Sequence, residues 1–332
     1  MGIANVKAYL YPFRSKNKFV DINKTALSKL GFNVNKVDVF FILDLLRLKR
    51  DQVVVLNWVE DRVYGRSFKR FLQTFIGLAL LIIFSKLFAR KVIWVRHNFF
   101  PHAESKNNYR YRFLCKLYDW LSIKAIPLES YYSTPALVHP LYRSDESIKN
   151  EIANGKRSDN KKEIPVLFFG AIKKYKNLHD TLDIWPKNIP LKIAGYCDDI
   201  DYQRLLQNKI NDRELDVDWT NKFLSAEELD GLLKRAMYVL LPHADNAMIS
   251  SGSFYHAIGE GCNVITNSSQ FGHYKQQQHE FVNTYNFKDL TTELLISKYI
   301  HKVDVMAEAL KFYGEDKVVD AWQKILFEVG NT

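Results

Sequence analysis

Apolar residues in this chain occur in two kinds of run. Short unbroken runs at 52–56 (QVVVL), 92–95, 166–169 and 238–241, with 263–266 (NVIT), read as strands buried on both faces. Runs with apolar positions three and four apart, such as Ile22, Ala26, Leu27 and Leu30, read as helices with one buried face. The pattern predicts further strands at 6–10, 33–37 and 191–195, and helices ending at Gly31, over 40–48, over 107–121, from Leu178 and from Thr291. Shorter elements are expected at 125–128 and 137–142. Strand, loop and helix alternate in both halves, which predicts an α/β protein with parallel sheets and ligand sites at the strand C-terminal ends.

The stretch 71–88 (FLQTFIGLALLIIFSKLF) is the most apolar, and Lys86 is its one formal charge. Its length touches the lower limit of a membrane span. It lies between two predicted strands of one sheet, so a helix packed on that sheet, with its other face open to a membrane surface, is the preferred reading; a fully buried helix is the alternative. Lys69 and Arg70 before it, and Lys86, Arg90 and Lys91 at its end, suit anionic headgroups.

At 332 residues the chain has room for two cores, and 47% hydrophobic and 14% aromatic content excludes a disordered polymer. The net charge of +10 suits an anionic membrane or a phosphate-bearing ligand; no zinc-finger or RRM-type signature supports nucleic acid. Three cysteines, odd in number and far apart, argue for a reducing compartment. The first residues lack the order of a signal peptide, so a cytoplasmic protein, peripheral on the cytosolic membrane face, is expected. The polar run 146–163 reads as a linker between residues 1–145 and 164–312, and residues 313–332 as a terminal helix that can cross back to the first domain.

The strand 166–169 ends at Gly170, and Lys173, Lys174 and Lys176 follow before a helix near Leu178. Ammonium groups and free helix N–H donors can converge there on one anion. A second strand ends at Gly195, a third at Pro242 and His243, and Ser250-Ser251-Gly252-Ser253 open a further helix. Ser225 with Glu228 three positions on is a capping box.

The order and spacing of Phe169-Gly170, Ile172-Lys173, Lys176-Asn177-Leu178, Ile193-Ala194-Gly195, Phe223, Ser225, Leu241-Pro242-His243, Ser251-Gly252 and Gly261 resemble the donor half of GT-B type glycosyltransferases. The likeness is to the family-four and bacterial exopolysaccharide group. It implies two Rossmann-like domains facing a central cleft: an N-terminal, membrane-facing acceptor domain and a C-terminal donor domain. The implied reaction moves a sugar from a nucleoside-diphosphate sugar to a hydroxyl of a saccharide or lipid-linked saccharide acceptor, without an obligatory metal or other cofactor. Donor-side candidates are Gly170, Lys173, Lys176, Asn177, Gly195, Phe223, His243, Ser250, Ser251, Gly252, Ser253 and His256. Acceptor-side candidates are Arg14, Asn17, Trp58, Glu60 and His102, Trp58 because an indole face covers the C–H groups of a sugar.

In the resembling enzymes a strand ending in His-Asn is an acceptor-domain feature. That makes His97 a candidate general base, with Asp61, Glu60 and Glu104 as rivals. Retaining members of family four carry two glutamates before the final glycine, at positions occupied here by Met248 and His256. The departure favours an inverting enzyme with its base in the first domain. It also leaves open a non-catalytic partner that only binds sugar nucleotide, and a sugar-nucleotide epimerase of the same fold.

Overall fold

The computed structural model describes residues 6–15, 17–37, 41, 52–59, 68–98, 109–155, 164–243 and 249–328. The chain divides into two compact units. Unit 1 contains residues 1–140, 248–250 and 315–332, and unit 2 contains residues 141–247 and 251–314.

Unit 1 is built on β1 (Lys7–Tyr11), β2 (Asn33–Lys36), β3 (Val53–Asn57), β4 (Lys91–Arg96) and β5 (Lys124–Pro127), parallel throughout in the order β2-β1-β3-β4-β5. Its helices are α1 (Lys18–Lys29), α2 (Phe68–Phe88) and α3 (Tyr109–Trp120). Alternate side chains along each strand fill opposite faces, as the two-residue pleat requires. Ala8, Leu10, Val53, Val55, Ile93 and Val95 pack with Phe19 and Leu27 of α1. Tyr9, Val54, Leu56, Val92 and Trp94 pack with Leu78 and Ile82 of α2 and with Tyr111, Leu114 and Tyr118 of α3. Helix α2 therefore lies on the sheet, as preferred, and among the described residues no helix is long and apolar enough to cross a membrane. The helix expected over 40–48 falls outside the described residues except for Phe41, which is buried against Tyr9.

Unit 2 begins with α4 (Asp145–Asn154), so the stretch expected to be a linker starts as a helix, N-capped by the Ser144 hydroxyl. It continues with β6 (Ile164–Phe169), α5 (Leu178–Ile184), β7 (Leu191–Ala194), α6 (Ile200–Asp212), β8 (Val217–Thr220), α7 (Ala226–Arg235), β9 (Ala236–Leu241), α8 (Gly252–Gly259), β10 (Asn263–Thr266), α9 (Gln270–Gln278), β11 (Val282–Thr284), α10 (Thr292–Ser297) and α11 (Lys302–Tyr313). The sheet is parallel in the order β11-β10-β9-β6-β7-β8. The capping box is present at α7, with Ser225 and Glu228 each accepting from the other's backbone.

The short element expected over 137–142 is irregular, because Pro140 has no N–H to give a ladder. The final helix, α12 (Glu315–Gln323), is followed by a π turn (Lys324–Glu328). It returns to unit 1, where Val318, Trp322 and Ile325 join the α1 side of the core.

Candidate functional sites at the sheet ends

In unit 2 the strand order reverses between β6 and β9. At such a switch point neighbouring connections leave toward opposite faces and a crevice opens at the strand C-terminal ends. Gly170 ends β6 with φ of +94°, a conformation that a side chain disfavours. A short 3₁₀ turn (Lys174–Lys176) follows, and Asn177 in the left-handed region at φ of 57° joins it to α5. Asparagine tolerates that backbone. The turn folds Lys176 back onto the strand end, where its Nζ would stand 3.2 Å from a Cβ on Gly170 and lies 5.4 Å from the centre of the Phe168 ring. Lys176 is only 7% exposed, and among the described residues no carboxylate pairs with it. Burial alone pushes its ammonium pKa down to about 8.

Helix α8 supplies the neighbouring wall. Ser251 is its buried N-cap residue, and the side chain makes no capping hydrogen bond. A Cβ on Gly252 would come within 2.6 Å of the Tyr142 Oη, so glycine is what allows that hydroxyl to approach the helix start. One turn on, the His256 ring meets Phe169 and Tyr142 edge-on at 5.7 and 5.5 Å, and its Nε2 lies 3.1 Å from Asp230 Oδ1. The start of α8 and the end of β6 therefore share one edge of the sheet. Ser253 is half-buried on the first turn. His243, at the end of β9, is buried and stacks on Tyr175 at 6.3 Å. Phe223 is 77% exposed and packs against Tyr196, which directly follows Gly195, at 4.5 Å.

Three expected members are turned elsewhere. Lys173 extends to Asp198, with both carboxylate oxygens 2.6 Å away, and this pairing holds the Asp198 carboxyl below its usual range. Lys174 pairs likewise with Asp199, whose other oxygen caps α6 at the Tyr202 N–H. The Ser250 hydroxyl donates to buried Glu129 at 2.8 Å, and both residues belong to unit 1. Asp230 and Tyr142 complete the cluster around α8, and no sequence motif marks Asp230.

Gly195 fixes the position of the loop. A Cβ there would stand 1.9 Å from the Gly170 carbonyl oxygen, which is backbone and cannot rotate away. Gly195→Ala is expected to destabilise unit 2 by about 3 kcal/mol, read as a lower urea midpoint. A midpoint within error of the parent would show that β6 and β7 separate without cost.

In unit 1 the order reverses between β1 and β3. Trp58 follows β3 with φ of 48° and stacks on His97, the residue after β4, at 4.2 Å and 21°. Phe19 meets both rings edge-on, and His139 lies 5.3 Å from Phe19. His97 is buried, with Nε2 3.2 Å from Asn57 Oδ1. An amide oxygen accepts, so this contact suits the tautomer that carries its proton on Nε2. Asn17 acts as the N-cap of α1, its side-chain oxygen accepting from the Phe19 N–H, and Arg14 is exposed on the loop before it. Glu60, Asp61, His102 and Glu104 lie outside the described residues, as does Met248.

By sequence the chain matches no family profile and no curated protein. In structure it resembles HepE from Anabaena, solved in complex with UDP and glucose, with a TM-score of 0.59 and 12% identity over 98% of this chain and 100% of that one. It also resembles AviGT4, a glycosyltransferase involved in avilamycin A biosynthesis, with a TM-score of 0.57 and 15% identity over 96% of each chain. The lipopolysaccharide outer core galactosyltransferase WaaB matches with a TM-score of 0.53 and 9% identity over 98% of this chain and 99% of that one. Two parallel Rossmann-like sheets, each with a switch point, give this chain the fold of the GT-B glycosyltransferases.

Proposed function

We propose that the protein is a glycosyltransferase that moves a hexosyl group from a nucleoside-diphosphate sugar to a hydroxyl of a saccharide acceptor, with inversion. The observation that carries this reading is Lys176: a buried ammonium without a carboxylate partner among the described residues, at a glycine turn on the switch edge of a parallel sheet. Leaving a cation so placed is costly unless an anion completes it. A sugar diphosphate gains negative charge on its leaving oxygens as the glycosidic bond breaks, so a fixed cation there favours the transition state over the ground state. The Ser251 to Ser253 segment at the start of α8 adds backbone N–H donors for the same group.

The acceptor falls to unit 1. A base must take the proton of the attacking hydroxyl, and His97 is our choice. Trp58 and Asn57 hold that ring in place. A lipid-linked acceptor in polysaccharide synthesis is the class we favour, because the basic, apolar α2–α3 region suits an acceptor presented at a membrane.

The test is release of nucleoside diphosphate from a panel of nucleotide sugars, UDP-glucose first, with and without saccharide acceptors. Release that needs both substrates supports transfer. Turnover of donor alone would point to the epimerase reading, and donor binding with no turnover to the non-catalytic one. His97→Ala is expected to lower transfer by about 10²-fold or more while leaving donor affinity intact. Normal transfer by a folded His97→Ala protein would remove it as the base.

A further inference from the structure

Helix α2 has two apolar faces, and the core uses only one. Leu78, Ile82 and Ser85 face inward and are buried. Leu72, Ile76, Leu80, Phe84 and Leu87 lie on the other side, each 37–56% exposed. At about 100° per residue these five positions fall within roughly a third of the helix circumference, a continuous stripe along a rod of about 30 Å. Soluble proteins seldom leave a stripe of that kind uncovered. Helix α3 extends the surface: Phe113 touches Phe75 of α2 at 5.3 Å, and Trp120 is 75% exposed.

The charge around this surface selects what covers it. From Phe68 to Asn98 the sequence holds no carboxylate, whereas Lys86, Arg90 and Lys91 lie at the end of α2. Arg112, Lys116 and Lys124 are exposed on or just after α3, with Asp119 the one acidic residue of that helix. A second copy would set this cationic rim against itself, since a two-fold contact pairs like patches. An anionic bilayer meets both features: its acyl chains take the stripe, its phosphates take the rim, and an indole suits the boundary between them.

We propose that unit 1 docks on an anionic lipid bilayer through the outer faces of α2 and α3, with α2 lying in the plane of the interface and Trp120 at headgroup depth. This goes beyond the transfer reaction and does not depend on it.

The test is co-sedimentation of the full chain with vesicles of phosphatidylglycerol and with vesicles of phosphatidylcholine alone. Binding to the first only, weakened by added salt, is expected. Ile76→Ser and Leu80→Ser are each expected to lower the partition coefficient by about tenfold without changing the melting temperature, since both side chains already face solvent. Lipids brominated near the headgroup should quench fluorescence that Trp120→Phe removes. No binding to phosphatidylglycerol at low salt would overturn the proposal, as would binding indifferent to both substitutions. A lipid-free dimer that the same substitutions disperse would overturn it in favour of a second copy of this chain.

Discussion

Replacing Lys176 with alanine is expected to cut kcat by about 10²- to 10³-fold, the scale of losing one fixed electrostatic donor from a desolvated site. Because the ammonium is buried at the Gly170 turn, no solvent cation substitutes for it. The pH dependence follows from the same burial. Desolvation penalises the charged form and brings the pKa to about 8, and a bound diphosphate favours the charged form and pulls the pKa back up. Donor binding therefore takes up a proton above pH 8, and affinity should weaken by up to about tenfold for each further pH step. For the free protein the sign is opposite. A lysine whose folded pKa lies below its unfolded value binds fewer protons when folded, so its cost to stability is largest below about 8 and vanishes toward the ordinary lysine range. Lys176→Arg should show a flat affinity profile, because guanidinium stays protonated throughout. Full turnover by Lys176→Ala, or a wild-type affinity independent of pH from 7 to 10, would take Lys176 out of the donor site.

The second large effect is on stability. Trp322 of α12 is fully buried in the core of unit 1, and its Nε1 donates to Asn23 Oδ1 at 2.5 Å. Trp322→Ala should cost about 3–5 kcal/mol from the lost burial and the cavity left behind. Asn23 would keep its own bond to the Phe19 carbonyl but lose the indole donor. Trp322→Phe retains most of the volume and should cost about 1–2 kcal/mol, chiefly for that hydrogen bond. Calorimetry that resolves the two units should show unit 1 shifting and unit 2 unmoved. A change below about 1 kcal/mol for the alanine variant would mean that α12 only decorates the surface.

The alternation of strands and helices was legible because buried parallel strands are written as short apolar runs ended by glycine, as at Val166 to Gly170. The stripe on α2 was legible in outline, since a helix beside a sheet needs only one apolar face and this one has two. The two edge strands of unit 2 were not. β8 (VDWT) and β11 (VNT) are short and polar, and are specified by the neighbours they pair with. Helix α4 was hidden because Ile148 is its one buried side chain. In the basic loop the sequence could not rank Lys173 against Lys176. The ranking comes from Asn177 in its left-handed conformation and from Asp198, twenty-five residues on. Ser250 looks like part of a serine-rich anion loop until Glu129, 121 residues earlier, is seen beneath its hydroxyl.

The return of α12 to the first sheet sets an order of events on the ribosome. Residues 7–127 carry all five strands of that sheet, yet Leu10, Val55 and Leu27 keep a greasy side uncovered until residues 318–326 have been translated. At about 5–20 residues per second that wait is on the order of ten seconds or more. The later half, whose strands and helices are contiguous in synthesis, can finish first. A nascent chain stalled before Glu315 should therefore recruit holding chaperones through its amino-terminal portion, and release them once residues 315–326 emerge.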